Sequence, residues 1–301
     1  MHFIWLVIIL CMFTHKVQSC TLDNQSNLAV VYIPYQEPSK RIHNQYFLTL
    51  LDAILKRTEA EYGKCNVLEH NIPLTHQRID VLLGKNEHIN LTWTSTSKKR
   101  EAQNQAVKEP LLKGLMGYRV MLVNKNNKHI LQNINSIEQL RQFTFGLGRG
   151  WPDVEIMKYN KFEVIQTSTF EQLYKMLARG RFDLLSRGYA EALPDVNLHK
   201  EKGLELDPYL SLIYPMPVYF FVSKQNQKLA NRLKSGIQSL RADGTFDSIF
   251  YNDPDIKNSL KQLNINSRKK LYLCNPTLQI DKAMQNEAFW HYPIDSNACA
   301  H

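Results

Sequence analysis

The 301-residue sequence lacks the features that define several large protein classes. It has 12 glycines, 12 prolines and no low-complexity segment, which excludes collagen-like and disordered chains. Its single long apolar run, residues 3–13, is too short to cross a bilayer, which excludes a multi-span transporter or channel. It has no P-loop, HExxH, GxSxG or EF-hand motif, and its ten histidines show no metal-ligand spacing. We therefore expect neither a metal nor a cofactor.

The composition is that of a folded protein. Hydrophobic residues make up 44% of the chain and charged residues 22%, which suits one large or two medium domains. Lys and Arg total 37 against 28 Asp and Glu, a formal net charge of +9, with short basic clusters at 98–100 and 268–270. There is no nucleic-acid-binding motif, so nucleic acid is not expected as a partner. The charge favours solubility and a weak attraction for anions.

The N-terminus predicts export. Polar residues follow the apolar run, and small or aliphatic residues occupy positions 17 and 19, as signal peptidase requires. We predict a signal peptide over residues 1–19, cleaved after Ser19, and a periplasmic or secreted protein. Two alternatives stay open: an uncleaved N-terminal anchor, or a lipid-modified Cys20.

Cysteine usage supports export. Cys11 leaves with the signal peptide, and an even number then remains, which suggests disulfides in an oxidising compartment. Three pairings are possible. We favour Cys20–Cys65 and Cys274–Cys299, because each closes a loop near one terminus.

Strand and helix patterns alternate along the chain. Apolar residues from 46 to 55 have the spacing of a core-facing helix. Further helices are expected from 136, from 152, at 170–177, 229–240 and 246–250. Strands are expected at 28–33, 79–83, 118–123, 143–147, 162–166, 182–185 and 218–222. Residues 93–100 are expected to form a loop or a helix start. The alternation predicts an α/β fold with mostly parallel sheets.

Aromatic residues and a glycine turn are the first candidate binding features. Trp93 and Trp151 lie beside hydroxyl, glycine and arginine residues rather than in apolar stripes. Tyr35 follows the first predicted strand, and Gly148 lies in a turn between a strand and a helix start, where backbone N–H groups can meet a ligand. Each aromatic residue is equally compatible with a core position.

Arg100 is the first candidate for holding an anionic group. It follows Ser95 and Ser97 in a hydroxyl-rich segment, and the two serines could hydrogen-bond the same ligand. The planar guanidinium suits a carboxylate.

Arg187 is the second candidate. It ends a predicted strand, and the carboxyl ends of strands in an α/β sheet face the crevice in which ligands bind. The alternative is a structural salt bridge to Asp153, Asp183 or Glu191.

These segments, in this order, resemble the family 3 extracellular solute-binding proteins of the type II periplasmic-binding fold. The sequence LAVVYIPYQEP, from residue 28, is similar to the family's first strand and aromatic loop. STSKKRE, from residue 95, is similar to its T-x-T-x-x-R-E motif, and SIEQLRQFTFGLGRG, from residue 136, to its short helix, strand and glycine turn. LANRLKSGIQSLRADGTFDSIF, from residue 229, is similar to its closing helix pair.

The resemblance implies two α/β lobes joined by two crossings, with a ligand pinched between them. We expect lobe one at residues 20–118 and 218–301, lobe two at 119–217, and the crossings at 118–123 and 214–222. The family's motif arginine, here Arg100, holds a ligand carboxylate. Arg187 replaces the aspartate that holds the ammonium in amino-acid binders, which favours an anionic ligand.

The predicted function is therefore capture of a small polar, anionic or amino-acid-like solute by a monomer, for an ABC-type uptake system. Two alternatives stay open. One is a dehydratase-like enzyme on the same fold, with Glu191 or Asp153 as acid or base. The other is a sensor or orphan binding module.

Overall fold

The computed structural model describes residues 19–23, 26–36, 41–279, 284–292 and Cys299. Residues 1–18, which hold Cys11 and nearly all of the predicted signal peptide, lie outside the described ranges, so export and cleavage after Ser19 stay predictions. Within the described ranges, no helix combines the length and the apolar character that a membrane crossing requires.

Strands and helices alternate, as expected for an α/β protein. The described strands are β1 (Thr21–Leu22), β2 (Ala29–Ile33), β3 (Asn66–Glu69), β4 (Leu91–Ser95), β5 (Gln105–Val107), β6 (Tyr118–Asn124), β7 (Thr144–Gly148), β8 (Glu163–Thr167), β9 (Leu184–Gly188), β10 (Leu204–Ile213), β11 (Val218–Val222) and β12 (Lys269–Tyr272). The described α-helices are α1 (Arg41–Arg57), α2 (Glu59–Tyr62), α3 (His76–Lys85), α4 (Lys98–Gln103), α5 (Ile137–Leu140), α6 (Pro152–Tyr159), α7 (Phe170–Ala178), α8 (Tyr189–Leu198), α9 (Gln227–Ala242), α10 (Thr245–Asn252) and α11 (Pro254–Gln262).

The strands form sheets in two lobes. The first lobe holds two three-stranded sheets, ordered β1-β2-β3 and β4-β11-β5, and the second holds a six-stranded sheet, ordered β12-β10-β6-β9-β7-β8. The α/β class is confirmed, but the pairing is mixed rather than mostly parallel. Strand pairs β2–β3, β7–β8, β7–β9 and β10–β12 are parallel, whereas β6 and β11 run antiparallel to both of their neighbours. The chain enters and leaves the second lobe by β6 and β10, which therefore run in opposite directions.

The helix predicted from the apolar residues between 46 and 55 is confirmed as part of α1. Leu50, Leu51 and Ile54 are fully buried, and α1 packs against α9. Burying one such side chain contributes about 1.5–3 kcal/mol, so this face anchors α1 to the first lobe.

Two predictions of local structure were wrong. Residues 79–83 lie within α3, not in a strand. Ile79, Leu82 and Leu83 have helical i, i+3, i+4 spacing and pack in one apolar cluster, and the Thr75 side chain caps the helix. Trp93 lies in strand β4 rather than a loop, because β4 gains a ladder of hydrogen bonds with β11.

The two connections between the lobes lie side by side. The chain passes from β5 to β6 through residues 108–117 and returns from β10 to β11 through residues 214–217. The Tyr214 N–H donates to the Gly117 carbonyl (3.1 Å). A Cβ atom at Gly117 would lie 2.1 Å from the Tyr214 carbonyl oxygen, so only glycine permits this approach.

One part of the predicted lobe division needs correction. Lys269–Tyr272, expected in lobe one, form β12 and pair with Leu210–Ile213 in the six-stranded sheet of lobe two. Leu271 is buried in the same apolar cluster as Leu210 and Leu212. The tail thus covers the outer edge of β10, which would otherwise present unpaired backbone groups to solvent.

Both predicted disulfides are confirmed. Cys20 bonds to Cys65, which joins the start of β1 to the start of β3, with Cα atoms 6.2 Å apart. Cys274 bonds to Cys299, with Cα atoms 4.4 Å apart.

Candidate functional site

A cavity of about 250 Å³ lies where the two lobes meet. Phe47 on α1 and Trp93 on β4 line it from the first lobe. Trp151 before α6, Phe170 on α7 and Arg187 on β9 line it from the second. Small-molecule sites are concave, mostly apolar and furnished with a few polar groups, and this cavity has that character.

The cavity brings together part of the predicted site. Trp93, Ser95, Arg100, Trp151 and Arg187 all line it, although they are far apart in sequence. The prediction that Arg100 and Arg187 share one cleft therefore agrees with the geometry.

Tyr35, Ser97 and Gly148 do not line the cavity. The Ser97 hydroxyl caps α4 by accepting a hydrogen bond from the Arg100 N–H (3.2 Å). Gly148 makes room for Trp151, since a Cβ atom at 148 would lie 2.4 Å from the indole ring. Ser97 and Gly148 therefore position the cavity residues Arg100 and Trp151 and do not themselves line the cavity.

Trp93 joins the aromatic wall of the first lobe. Its ring stacks on Phe47, with centroids 5.4 Å apart and an interplanar angle of 18°, and its indole Nε1 donates to Asn44 Oδ1 (2.9 Å). The hydrogen bond to α1 fixes the orientation of a side chain that is only partly buried. Trp93 is thus both a core residue and part of the cavity wall.

Arg100 is already paired within the protein. Its Nε donates to Asp80 Oδ1 (3.0 Å), one terminal nitrogen donates to Asp80 Oδ2 (3.1 Å), and the other donates to the Ser95 carbonyl. Asp80 comes from α3, the segment expected to be a strand. Because residues 79–83 were expected to form a strand, Asp80 was not predicted as a partner, and Arg100 was expected to bind a ligand. In the structure Arg100 instead donates hydrogen bonds to Asp80 and to the Ser95 carbonyl.

Arg187 is also paired. Its Nε donates to Asp195 Oδ2, and its terminal nitrogen lies 3.1 Å from Glu191 Oε1, so the predicted alternative of a salt bridge to Glu191 is present. The guanidinium carbon lies 5.0 Å from the Trp151 ring centroid and 5.1 Å from that of Phe170. Burial by itself lowers the Arg187 pKa, but the two carboxylates raise it above its usual value.

Asp195 connects the lobes. It is fully buried, and its second oxygen, Oδ1, lies 2.8 Å from Nε2 of His43 on α1. Burial raises the pKa of the Asp195 carboxyl, but Arg187 and His43 together lower it below its usual value. Neither Asp195 nor His43 was predicted as a site residue from the sequence, because neither lies in a recognisable motif.

A second buried ion pair supports the second-lobe wall. Arg119, on β6, lies 2.8 Å from Asp153 Oδ1, and the Tyr214 hydroxyl donates to the same oxygen (2.6 Å). Burial lowers the Arg119 pKa, yet the carboxylates of Asp153 and Glu191 raise it overall. Arg119 was not predicted as a site residue. The signal that could have identified it is its position as the one charged residue in the apolar run YRVMLV.

The start of α11 contributes two further carboxylates to the cavity. Asp253 Oδ1 accepts the N–H groups of Asp255 (3.1 Å) and Ile256 (3.0 Å), which caps the helix. Asp255 also lines the cavity, and its carboxylate has no hydrogen-bond or ion-pair partner among the described residues. Burial raises the Asp255 pKa, Asp253 adds to the rise and His43 opposes it.

The described part of the chain contains no candidate metal-binding site. No three His, Cys, Asp or Glu side chains among the described residues are grouped so that they could hold an ion.

No family profile matches the sequence, and no curated protein matches it. Solved structures match the fold. A protein from a study of glutathione import by GshT and the cystine ABC importer TcyBC of Streptococcus mutans superposes with a TM-score of 0.58 at 15% identity. The match covers 76% of this chain and 98% of that one.

Two other solved structures have similar scores. An ancestral arginine-binding protein bound to glutamine gives a TM-score of 0.57 at 18% identity, covering 75% of this chain and 98% of that one. A histidine kinase sensor domain described as similar to periplasmic binding proteins gives a TM-score of 0.57 at 17% identity. That match covers 73% of this chain and 92% of that one. The chain therefore has the two-lobed fold of the periplasmic binding proteins.

Proposed function

We propose that the protein captures a small solute between its two lobes and releases it unchanged. The observation that carries this proposal is the cavity itself, which takes its aromatic and charged walls from both lobes. Solute-binding proteins close their lobes around a ligand by a hinge, which needs such a site between two sheet-bearing bodies. The adjacent connections at 108–117 and 214–217 suit a hinge. In this role the protein is exported, works as a monomer and delivers its solute to an ABC-type uptake system.

The two carboxylates predicted as candidate catalysts, Asp153 and Glu191, are both engaged by other groups of the protein. A general acid or base needs a carboxyl group within reach of the substrate and free to exchange its proton. Asp153 is held by Arg119 and Tyr214, and Glu191 by Arg187 and the Gly188 N–H (3.0 Å). The two carboxylates named as candidate catalysts are therefore engaged in holding the walls. A sensor role uses the same capture step and differs in the partner that reads the closed form.

Ligand-dependent stabilisation tests the proposal. A solute that binds only the folded state stabilises it by about 2.7 kcal/mol at a hundredfold excess over Kd. We expect a thermal-shift screen of amino acids, amines, dicarboxylates and short peptides to identify a solute, and native mass spectrometry to show one bound molecule per chain. The solute should leave with its mass unchanged. A screen without any stabilising solute would contradict the proposal, and a changed mass would favour an enzyme.

A cavity-filling variant locates the binding. Ala190 on α8 lines the cavity, so Ala190→Leu should remove the solute-induced shift while leaving a folded protein. The matched control is Ala242→Leu at the exposed end of α9, which should keep the shift. If both variants bind the solute equally well, the site lies elsewhere.

A further inference from the structure

The balance of charge around the cavity is opposite to that of the whole chain. The basic side chains that line the cavity are three guanidiniums, from Arg100, Arg119 and Arg187, and two imidazoles, from His43 and His76. Six carboxylates lie on its walls or directly behind them, from Asp80, Asp153, Glu191, Asp195, Asp253 and Asp255. The acidic side chains therefore outnumber the basic ones. The chain as a whole carries +9.

Each of the three guanidiniums is already paired with a carboxylate of the protein. Asp80, Asp153 and Asp195 each hold one of them at close range, and the side chains of Asp153 and Asp195 are at most 4% exposed. An anionic solute that displaced one of these carboxylates would leave a buried charge without its partner. That cost is large compared with the gain from a new ion pair.

Three of these carboxylates have no guanidinium to themselves. Glu191 shares Arg187 with Asp195, and Asp253 accepts two backbone N–H groups at the start of α11. The Asp255 carboxylate has no hydrogen-bond or ion-pair partner among the described residues. Glu191 on α8 and Asp255 on α11 line the same cavity, and α8 packs against α11. Burial and the neighbouring Asp253 raise the pKa of Asp255, so the surrounding protein groups disfavour its ionised form. A cation beside it would favour the ionised form.

Aromatic rings complete the arrangement. Trp93 and Trp151 are each only partly buried and face the cavity from opposite lobes, with Phe170 beside Trp151. Because Arg187 already lies over the Trp151 and Phe170 rings and Trp93 stacks on Phe47, the exposed parts of these rings offer apolar surface to the body of a solute. Carboxylates together with aromatic walls suit an organic cation.

We propose that the solute is a small organic cation, an amine or guanidine on an apolar body, with its charge beside Asp255 and Glu191 and its body between Trp93 and Trp151. This inference rests on the proposed function and differs from the expectation of an anionic ligand. A carboxylate on the solute opposes binding, because each guanidinium at the cavity is already paired with a carboxylate of the protein.

A matched pair of probes tests the charge preference. Agmatine is arginine without its carboxylate, and succinate carries two negative charges and no cation. Isothermal titration calorimetry on the purified protein should show agmatine binding about tenfold or more tighter than arginine, and no binding of succinate. Arginine binding tighter than agmatine, or succinate binding at all, would overturn the cation inference and leave solute capture intact. Failure of every compound in the screen would overturn both.

A charge-removing variant tests the assigned residue. Asp255→Asn keeps the shape and removes the charge, and should weaken agmatine binding about tenfold or more. The same change at Asp52, an exposed residue on α1 paired with Lys56, should leave affinity unchanged. Equal affinity of the Asp255→Asn variant and the wild type would refute the role of Asp255. Circular dichroism would confirm that both variants are folded.

Discussion

Replacing Asp195 with asparagine should destabilise the protein, because this carboxylate serves both lobes. It is fully buried, it accepts a hydrogen bond from Arg187 Nε, and its Oδ1 lies 2.8 Å from His43 Nε2. Asparagine keeps one acceptor oxygen but offers His43 an amide N–H, and it removes the negative charge beside Arg187.

The expected magnitude follows from the neighbours that remain. Removing one partner of a buried ion pair costs about 3–5 kcal/mol. Glu191 still lies 3.1 Å from Arg187 in the variant, so we expect the lower end, about 3 kcal/mol. For a chain of this size, that corresponds to a fall in Tm of about 6 °C.

The pH dependence gives an independent check. The Asp195 pKa is lowered in the folded state, so its contribution is present above the unfolded value, near 3.9, and is lost as the pH falls through the folded value. The gap in Tm between wild type and Asp195→Asn should persist from about pH 8 to 5 and narrow below about pH 4.

Differential scanning calorimetry across this pH range measures both effects, with Asp52→Asn as the exposed control. A loss of less than about 1 kcal/mol would refute the reasoning, since Glu191 alone would then satisfy Arg187. A gap that widened in acid would refute the sign of the pKa shift.

Two further substitutions test the fold and the cavity wall. Asp207 is fully buried, and burial raises its pKa to about 6, so stability should fall as the pH rises from about 4 to 6. Asp207→Asn should abolish that decline. It also removes the negative charge 3.8 Å from buried Arg268, so the pH profile rather than the free energy of unfolding at pH 7 is the readout. An unchanged pH profile in calorimetry would contradict this. Gly148→Ala places a methyl group 2.4 Å from the Trp151 ring, so it should cost about 1–3 kcal/mol and displace one cavity wall. Tryptophan fluorescence and solute affinity would report the displacement, and wild-type values for both would show that the wall adapts.

Local sequence determined much of the secondary structure. Apolar spacing predicted α1, and alternation of strands and helices predicted the α/β class, because these signals depend on neighbours a few residues apart. The disulfide pairs were predicted from loop closure near each terminus, and the structure has both. The error at 79–83 arose because a short apolar run fits a buried strand as well as one face of a helix.

Trp93, Arg100, Trp151 and Arg187, all predicted as site residues, line one cavity, and their contact with a ligand stays a prediction. What these side chains contact there depends on tertiary structure alone. Asp80 reaches Arg100 only because residues 76–85 fold as a helix, and β12 joins the second lobe only because β10 leaves an open edge.

The sequence by itself thus determined the fold class and the residue types that meet at the site. The tertiary structure decided which of those charges are already neutralised, because contacts such as the His43–Asp195 hydrogen bond join residues 152 positions apart, and no local pattern records such a distance. The arginines suggested an anion in the sequence, and the carboxylates that folding brings to them are the basis for the proposal of a cation.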